Sequence, residues 1–212
     1  SEDRRMCGRF VLLTDLSVIV ESFDIQDVAC EWRPGSNIAP GQNILAVIRR
    51  EDRNILVEFR WGLIPSWARD PSIGNRLFNA RAETLAEKPS FKQAFRKRRC
   101  LIVADGFYEW QKSGRTRQPF YFSLRTDEPF GFAGLYETWM GPDRQPVHSC
   151  TIITTEPNDL IRPIHDRMPV ILPKDREADW IGGDPDPERR KSMLMPYPSE
   201  EMIIEAAMSP LG

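Results

Sequence analysis

Two β-branched runs, ILAVIRR and NILVEFRW, stand on either side of Glu51-Asp52-Arg53, and no other feature limits the fold of this chain as tightly. Side chains of this kind suit a pleated, half-buried surface, and two such runs joined by a short polar link predict a β-hairpin. The pattern recurs. A short strand follows Cys7. CLIVADGFYEWQ reads as a strand pair, or one bent strand broken at Asp105-Gly106, and KSGRTRQ as a turn into the strand PFYFSLR. PFGFAGLYETW, HSCTIITTEP and MPVIL add three more strands. Helices are fewer: DLSVIVESF capped by Thr14, one or two within residues 81–99 interrupted near Pro89, a short one at NDLIRPIH, and KDREADWI opening after Pro173. The expected fold is α+β and β-rich: a single compact domain with a curved or barrel-like, mostly antiparallel sheet and a few surrounding helices. The chain has no GxGxxG and no GKS or GKT loop, which excludes a doubly wound nucleotide fold.

The bulk properties narrow the function. With 212 residues the chain can bury a substantial core without staples. No apolar run approaches the ~20 residues of a membrane span, and SEDRRM lacks the apolar stretch of a secretory signal, so a cytoplasmic protein without a membrane partner is expected. Cysteines 7, 30, 100 and 150 form no CxxC pair, so no metal site and no cofactor are expected, and the thiols read as reduced. A net charge of −2 gives no global attraction to nucleic acid. Arg nevertheless outnumbers Lys, which fits either a local phosphate-binding groove or compositional bias.

A few residues stand out chemically. Cys7 follows Met6, and if nothing preceded it, its α-amine and thiol would be two nucleophiles on adjacent carbons, a reagent for aldehydes. Arg9, two residues on, would favour the thiolate; a small buried core cysteine is the alternative. His165 lies between Pro163 and Pro169 in PIHDRMP, suited either to proton transfer near neutrality or to a structural turn. Glu109 sits among Phe107, Tyr108 and Trp110, which would desolvate a general acid and raise its pKa, unless strand alternation turns it outward. Asn79 and Arg81 in FNARAET suit a reactant and a phosphate, or capping and pairing with Glu83 or Glu87. Pro40, Trp61 and Trp67 lie in NIAPG and RWGLIPSWA. Aromatic groups among arginines hold single-stranded nucleic acid, although tryptophans at this spacing also build cores.

Taken in order, MCGRF, NIAPG, RWGLIPSWA, NARAET, ADGFYEW and HDRMPVIL resemble the SOS-response-associated peptidase family, the abasic-site processing proteins that shield damaged single-stranded DNA. The likeness runs from Cys7 to about Leu172. Five residues precede Met6, where the family begins at Met-Cys, and EEMIIEAAMSPLG lacks the asparagine-containing close of many members. Residues 1–6 are therefore read as an extension to a domain of residues 7–212. The extension is a cloning scar or over-extended start, the preferred reading, or a segment the protein removes itself.

The resemblance implies a monomer that captures the ring-opened aldehyde of an abasic site in single-stranded DNA as a thiazolidine on Cys7, with possible AP-lyase and self-processing peptidase activities, in DNA repair. It implies Glu109 as the acid–base group, His165 as its helper, Asn79 as the residue orienting Cys7 or the sugar, and Arg81 on a flanking phosphate. Arg9, Arg167, Pro40, Trp61 and Trp67 would complete the groove. Three rivals remain: an N-terminal-nucleophile amidohydrolase, in which the Cys7 thiol attacks an amide, a non-catalytic single-strand binding module, and a peptidase acting on other proteins.

Overall fold

The structure is a computed structural model that describes residues 7–183 and 186–208; the extension inferred at residues 1–6 lies outside the described residues. In chain order, β1 (Phe10–Leu12) leads to helix α1 (Leu16–Ser22), β2 (Asp27–Val28) and β3 (Gly35–Ile38). The expected hairpin follows as β4 (Asn43–Arg50) and β5 (Arg53–Trp61). Its central residues Glu51 and Asp52 both have positive φ, 51° and 61°, the paired left-handed conformation whose twist matches the flanking strands. Next come β6 (Asn79–Arg81), α2 (Lys92–Lys97), β7 (Arg99–Ala104), β8 (Gly106–Ser113) and β9 (Thr116–Leu124). The long pair β10 (Phe130–Met140) and β11 (Pro146–Thr155) precedes β12 (Met168–Pro169) and β13 (Ile171–Leu172). The described chain ends with α3 (Lys174–Ile181), α4 (Pro187–Ser192) and β14 (Met202–Ala206).

Five strands form a closed barrel in the order β11-β10-β7-β4-β5, with β5 returning to pair in parallel with β11 through Ser149↔Arg60 and Cys150↔Trp61. The other four pairings of the ring are antiparallel. A second, wholly antiparallel sheet runs β14-β9-β8-β1-β3. The chain passes from barrel to second sheet at Asp105, between β7 and β8. Aromatic rings join the two sheets: Phe10 lies 5.2 Å from Trp61 and 5.9 Å from Phe132, and Phe107 lies 5.9 Å from Phe132. The β-rich α+β expectation and the barrel-like curvature therefore hold. Among the described residues no helix is long and apolar enough to cross a membrane.

Several local expectations give way. Residues 82–91 are turns, and only Lys92–Lys97 forms a regular helix. NDLIRPIH is a chain of turns: the Asn158 side chain takes the Ile161 amide, and Pro163 has no N–H to continue a helix. MPVIL is divided, because β12 pairs with β11 whereas β13 has crossed to β10. Asp15, not Thr14, holds the N-cap position of α1, without a side-chain capping bond, and the Thr14 hydroxyl donates to Asp105. Helix α4 was not foreseen, although Asp186-Pro187 carries an N-cap signal, and Asp186 does accept the Glu188 amide.

Candidate active site

The site is built from one end of β1. Asp105 accepts hydrogen bonds from the amides of Leu13 and Thr14 and from the Thr14 hydroxyl. These fasten the far end of β1 to the start of β8, with Phe10 opposite Phe107 and the Tyr108 amide on the Arg9 carbonyl. Extended past Phe10, this register sets Gly8 opposite Glu109, and the bend at Cys7 turns its backbone toward that carboxyl. The Cys7 backbone N–H donates to the Glu109 carboxyl. Gly106 permits this layout, since a Cβ there would collide with the Tyr121 hydroxyl and the Phe122 carbonyl.

Two further elements meet the same point. Strand β6 pairs in parallel with β11, placing Asn79 opposite Ile152. The Asn79 amide nitrogen lies 3.0 Å from the Phe78 carbonyl and 3.4 Å from the carbonyls of Cys7 and Ile152. Its Oδ1 is buried without a hydrogen-bond partner, an acceptor held ready. The loop between β11 and β12 brings in His165, whose Nε2 is 3.9 Å from Glu109 Oε2. Cys7, Asn79, Glu109 and His165, spread over 159 positions of sequence from 7 to 165, therefore converge.

Electrostatics sets the protonation states. Glu109 is 2% exposed, and Phe107 and Glu109 share the inner face of β8 while Tyr108 and Trp110 face the other way. Burial drives the Glu109 pKa well above the usual carboxylate range and the Asp166 charge adds to this; Arg117 and the Cys7 N–H pull back. Its Oε1 has no hydrogen-bond partner. The Cys7 thiol, 1% exposed, is also raised, by burial first and then by the charge of Glu109. This corrects the expectation of an Arg9-stabilised thiolate. What Arg9 offers the sulfur is its backbone N–H, and its guanidinium reaches the Gly8 carbonyl. The resting site thus holds a protonated thiol beside a carboxyl that favours its proton.

The residues assigned to a groove divide. Trp67 is 58% exposed, with its indole nitrogen 3.3 Å from the Pro89 carbonyl. Arg81 has a half-exposed side chain 3.7 Å from Glu83, and Arg9 and Pro40 are half-buried. Trp61 is a correction: it is fully enclosed, packed on Phe10 and Phe78 with its Nε1 donating to the Phe78 carbonyl, so it is core and presents no face to a base. Arg167 is buried as well. Its terminal nitrogens are held by Glu83 and Thr154 rather than turned toward solvent. Sequence reasoning gave Asp105 only as a strand break and Glu83 only as a pairing partner of Arg81, which it is, and did not name Gln111. Asp105 and Glu83 are carboxylates inside the quoted motifs ADGFYEW and NARAET, and Gln111 directly follows the first, which was the available signal.

A protein-family profile described as SOS response associated peptidase (SRAP) matches residues 6–209. The abasic site processing protein YoqW of Bacillus subtilis is 47% identical over 201 residues, covering 93% of this chain and 90% of that protein. The abasic site processing protein HMCES of Mus musculus is 34% identical over 83% of this chain and 64% of its own length. Among solved structures, a protein of Bacteroides thetaiotaomicron superposes with a TM-score of 0.88 at 25% identity, covering 96% of this chain and 93% of that one.

Proposed function

Because the chain belongs to the SOS response associated peptidase family, we propose that it processes abasic sites in single-stranded DNA by joining them covalently to Cys7. The observation that carries this reading is the contact between the Cys7 nitrogen and the buried Glu109 carboxyl. In a chain whose first residue is Cys7, that nitrogen is an amine. It attacks the C1′ aldehyde of the opened sugar to give a carbinolamine. Glu109, its carboxyl favouring the protonated form, gives its proton to the departing hydroxyl, and water leaves as the nitrogen lone pair forms the protonated imine, which keeps its N–H. The thiol sulfur then adds to the same carbon, its proton returning to the Glu109 carboxylate while the C=N electron pair goes back to the nitrogen. The product is a five-membered thiazolidine, with one water lost overall.

The neighbouring groups have matching roles. Asn79 Oδ1 is placed to accept from the nitrogen or a sugar hydroxyl, and its Nδ2 holds the Cys7 carbonyl. His165, its Nε2 3.9 Å from Glu109 and so one small approach or one water short of a hydrogen bond, is placed to relay protons with it and suits proton removal from the sugar in an associated lyase step. Trp67 supplies a stacking face, and Arg81 and Arg9 supply phosphate contacts. The placement of Glu109 beside the nitrogen of the 6–7 peptide bond also favours self-processing, since the amine leaving that bond must gain a proton.

Intact mass spectrometry tests the reading. A chain with a verified Cys7 amino terminus, incubated with an abasic single-stranded oligonucleotide, is expected to gain the oligonucleotide mass less one water. Cys7→Ala is expected to keep non-covalent affinity and form no adduct. Absence of an adduct from the verified chain overturns the proposal.

A further inference from the structure

The loop that carries His165 is held from both sides by residues outside the reacting group. Upstream, Gln111 Nε2 donates to the Pro163 carbonyl at 2.9 Å. Downstream, the Arg167 guanidinium meets Glu83 in a two-pronged grip, Nη1 to Oε1 at 3.0 Å and Nη2 to Oε2 at 2.9 Å. The same Nη2 donates to the Thr154 carbonyl at 2.9 Å and lies 3.2 Å from its hydroxyl. That carbonyl also receives the Ala82 amide, so one rigid point on β11 ties together the turn bearing Glu83 and the side chain of Arg167.

Arg167 continues the chain of contacts into the site through its backbone. Its amide donates to His165 Nδ1 at 3.1 Å. An amide N–H can only donate, and it lies nearer to Nδ1 than either oxygen that could accept from that atom, so the contacts favour a neutral ring with Nδ1 as acceptor and the proton on Nε2, the atom facing Glu109. A second proton on Nδ1 would face the Arg167 amide N–H, so the charged ring must shift toward the Arg167 carbonyl, now at 3.3 Å, and Asp166 Oδ1, at 3.4 Å, which can accept from it. A buried guanidinium needs a carboxylate opposite, and removing that carboxylate releases the side chain from its place.

We propose that Glu83 is a positioning residue: by gripping Arg167 it fixes the His165 ring with Nε2 aimed at Glu109. The inference rests on the reading of Glu109 and His165 as the proton-handling pair. Burial acts to raise the Glu83 carboxyl, but the Arg167 hydrogen bonds and the charges of Arg167 and Arg81 outweigh it, so the group stays ionised as the grip requires.

The test uses Glu83→Ala and Glu83→Gln, each in the parent and in His165→Ala. Adduct formation at saturating abasic oligonucleotide is expected to slow roughly 10–100-fold in Glu83→Ala, as for other small misplacements of reacting groups, and less in Glu83→Gln, which keeps an acceptor. In His165→Ala the same change is expected to cost no more than about twofold, the mark of an effect transmitted through that ring. Affinity for an oligonucleotide with a tetrahydrofuran analogue, which has no aldehyde, is expected to stay unchanged when the Glu83 variants are compared in an Arg81→Ala background, which removes the other arginine paired with Glu83. An equal loss with and without His165 would overturn the proposal, as would a gain in analogue affinity with a steeper salt dependence that persists in Arg81→Ala, since that would make Arg167 a phosphate ligand that Glu83 restrains. Nitrogen-15 spectra of the DNA-free protein supply a reading independent of reactivity. With two histidines in the chain, the His165 signals are expected to move from the Nε2–H form toward a tautomer mixture in Glu83→Gln, and unchanged signals would refute the idea. Failure of the parent protein to form any adduct would instead refute the proposed function, leaving the spectra to decide the role of Glu83.

Discussion

Glu109 shows how environment decides what one side chain does. The aromatic run around it points to desolvation and a raised pKa, and burial is indeed the first cause, with the Asp166 charge second. A carboxyl whose pKa is higher folded than unfolded binds its proton more tightly in the native state. Its contribution favours the fold at low pH and is lost as pH rises from the unfolded value through the folded one. Glu109→Gln is therefore expected to raise the urea midpoint at pH 7–8, with the gain vanishing below about pH 4.3, the ordinary Glu value. The same variant is expected to slow adduct formation about 10²–10⁴-fold by removing the acid–base group. The two tryptophans make the opposite point about legibility. Trp61 and Trp67 lie in one motif and were alike in sequence, yet one is sealed and the other open. Trp67→Ala is expected to weaken single-strand binding by about 1–3 kcal/mol, measured by fluorescence titration, with little change in stability. Trp61→Ala is expected to cost about 3–5 kcal/mol of stability by the cavity it leaves, measured by denaturant unfolding.

At the scale of elements, strands were easier to read than helices. The β4–β5 and β8–β9 hairpins and the β10–β11 pair follow from alternating or β-branched runs parted by turn residues, signals contained within each segment. The turns at 82–91 and 158–165 have helical spacing but are governed by a side chain, Asn158, and by prolines, so local propensity alone misassigned them. Short strands such as β2, β6 and β14 were invisible because partners distant in sequence create them: β6 exists by pairing with β11, and β14 by pairing with β9. The link that builds the candidate site is the Asp105 clamp, which sets β1 against β8 and so fixes the segment from which the Cys7 N–H reaches Glu109. Asp105→Ala leaves the Leu13 and Thr14 donors without their acceptor and is expected to cost about 1.5–3 kcal/mol in urea unfolding. Adduct formation is expected to slow with it, and Asp105→Asn, retaining an acceptor oxygen, to lie between the two.

For the molecule as a whole, the net charge of −2 is compatible with a DNA partner only if binding is local. Association is expected to weaken with salt, with log K falling by about 0.7 per tenfold rise in salt for each phosphate neutralised on a single strand. Arg81→Ala is expected to lower that slope by about one such step, in titrations from 50 to 300 mM salt, roughly the range where the effect is large. The barrel itself carries a consequence in time. The Ile64 amide and the Ser149 hydroxyl meet beside the seam where β5 rejoins β11, yet they lie 85 positions apart in the chain. On a ribosome adding about 5–20 residues each second, the first hairpin must wait several seconds for the strand that seals it. Throughout that wait a nascent polypeptide holds Cys7 with neither His165 nor the final barrel strand yet made. If Cys7 acts as proposed, the last of its partners in the site, His165, arrives only with the last quarter of the chain, and a translation product cut short before it is expected to form no adduct.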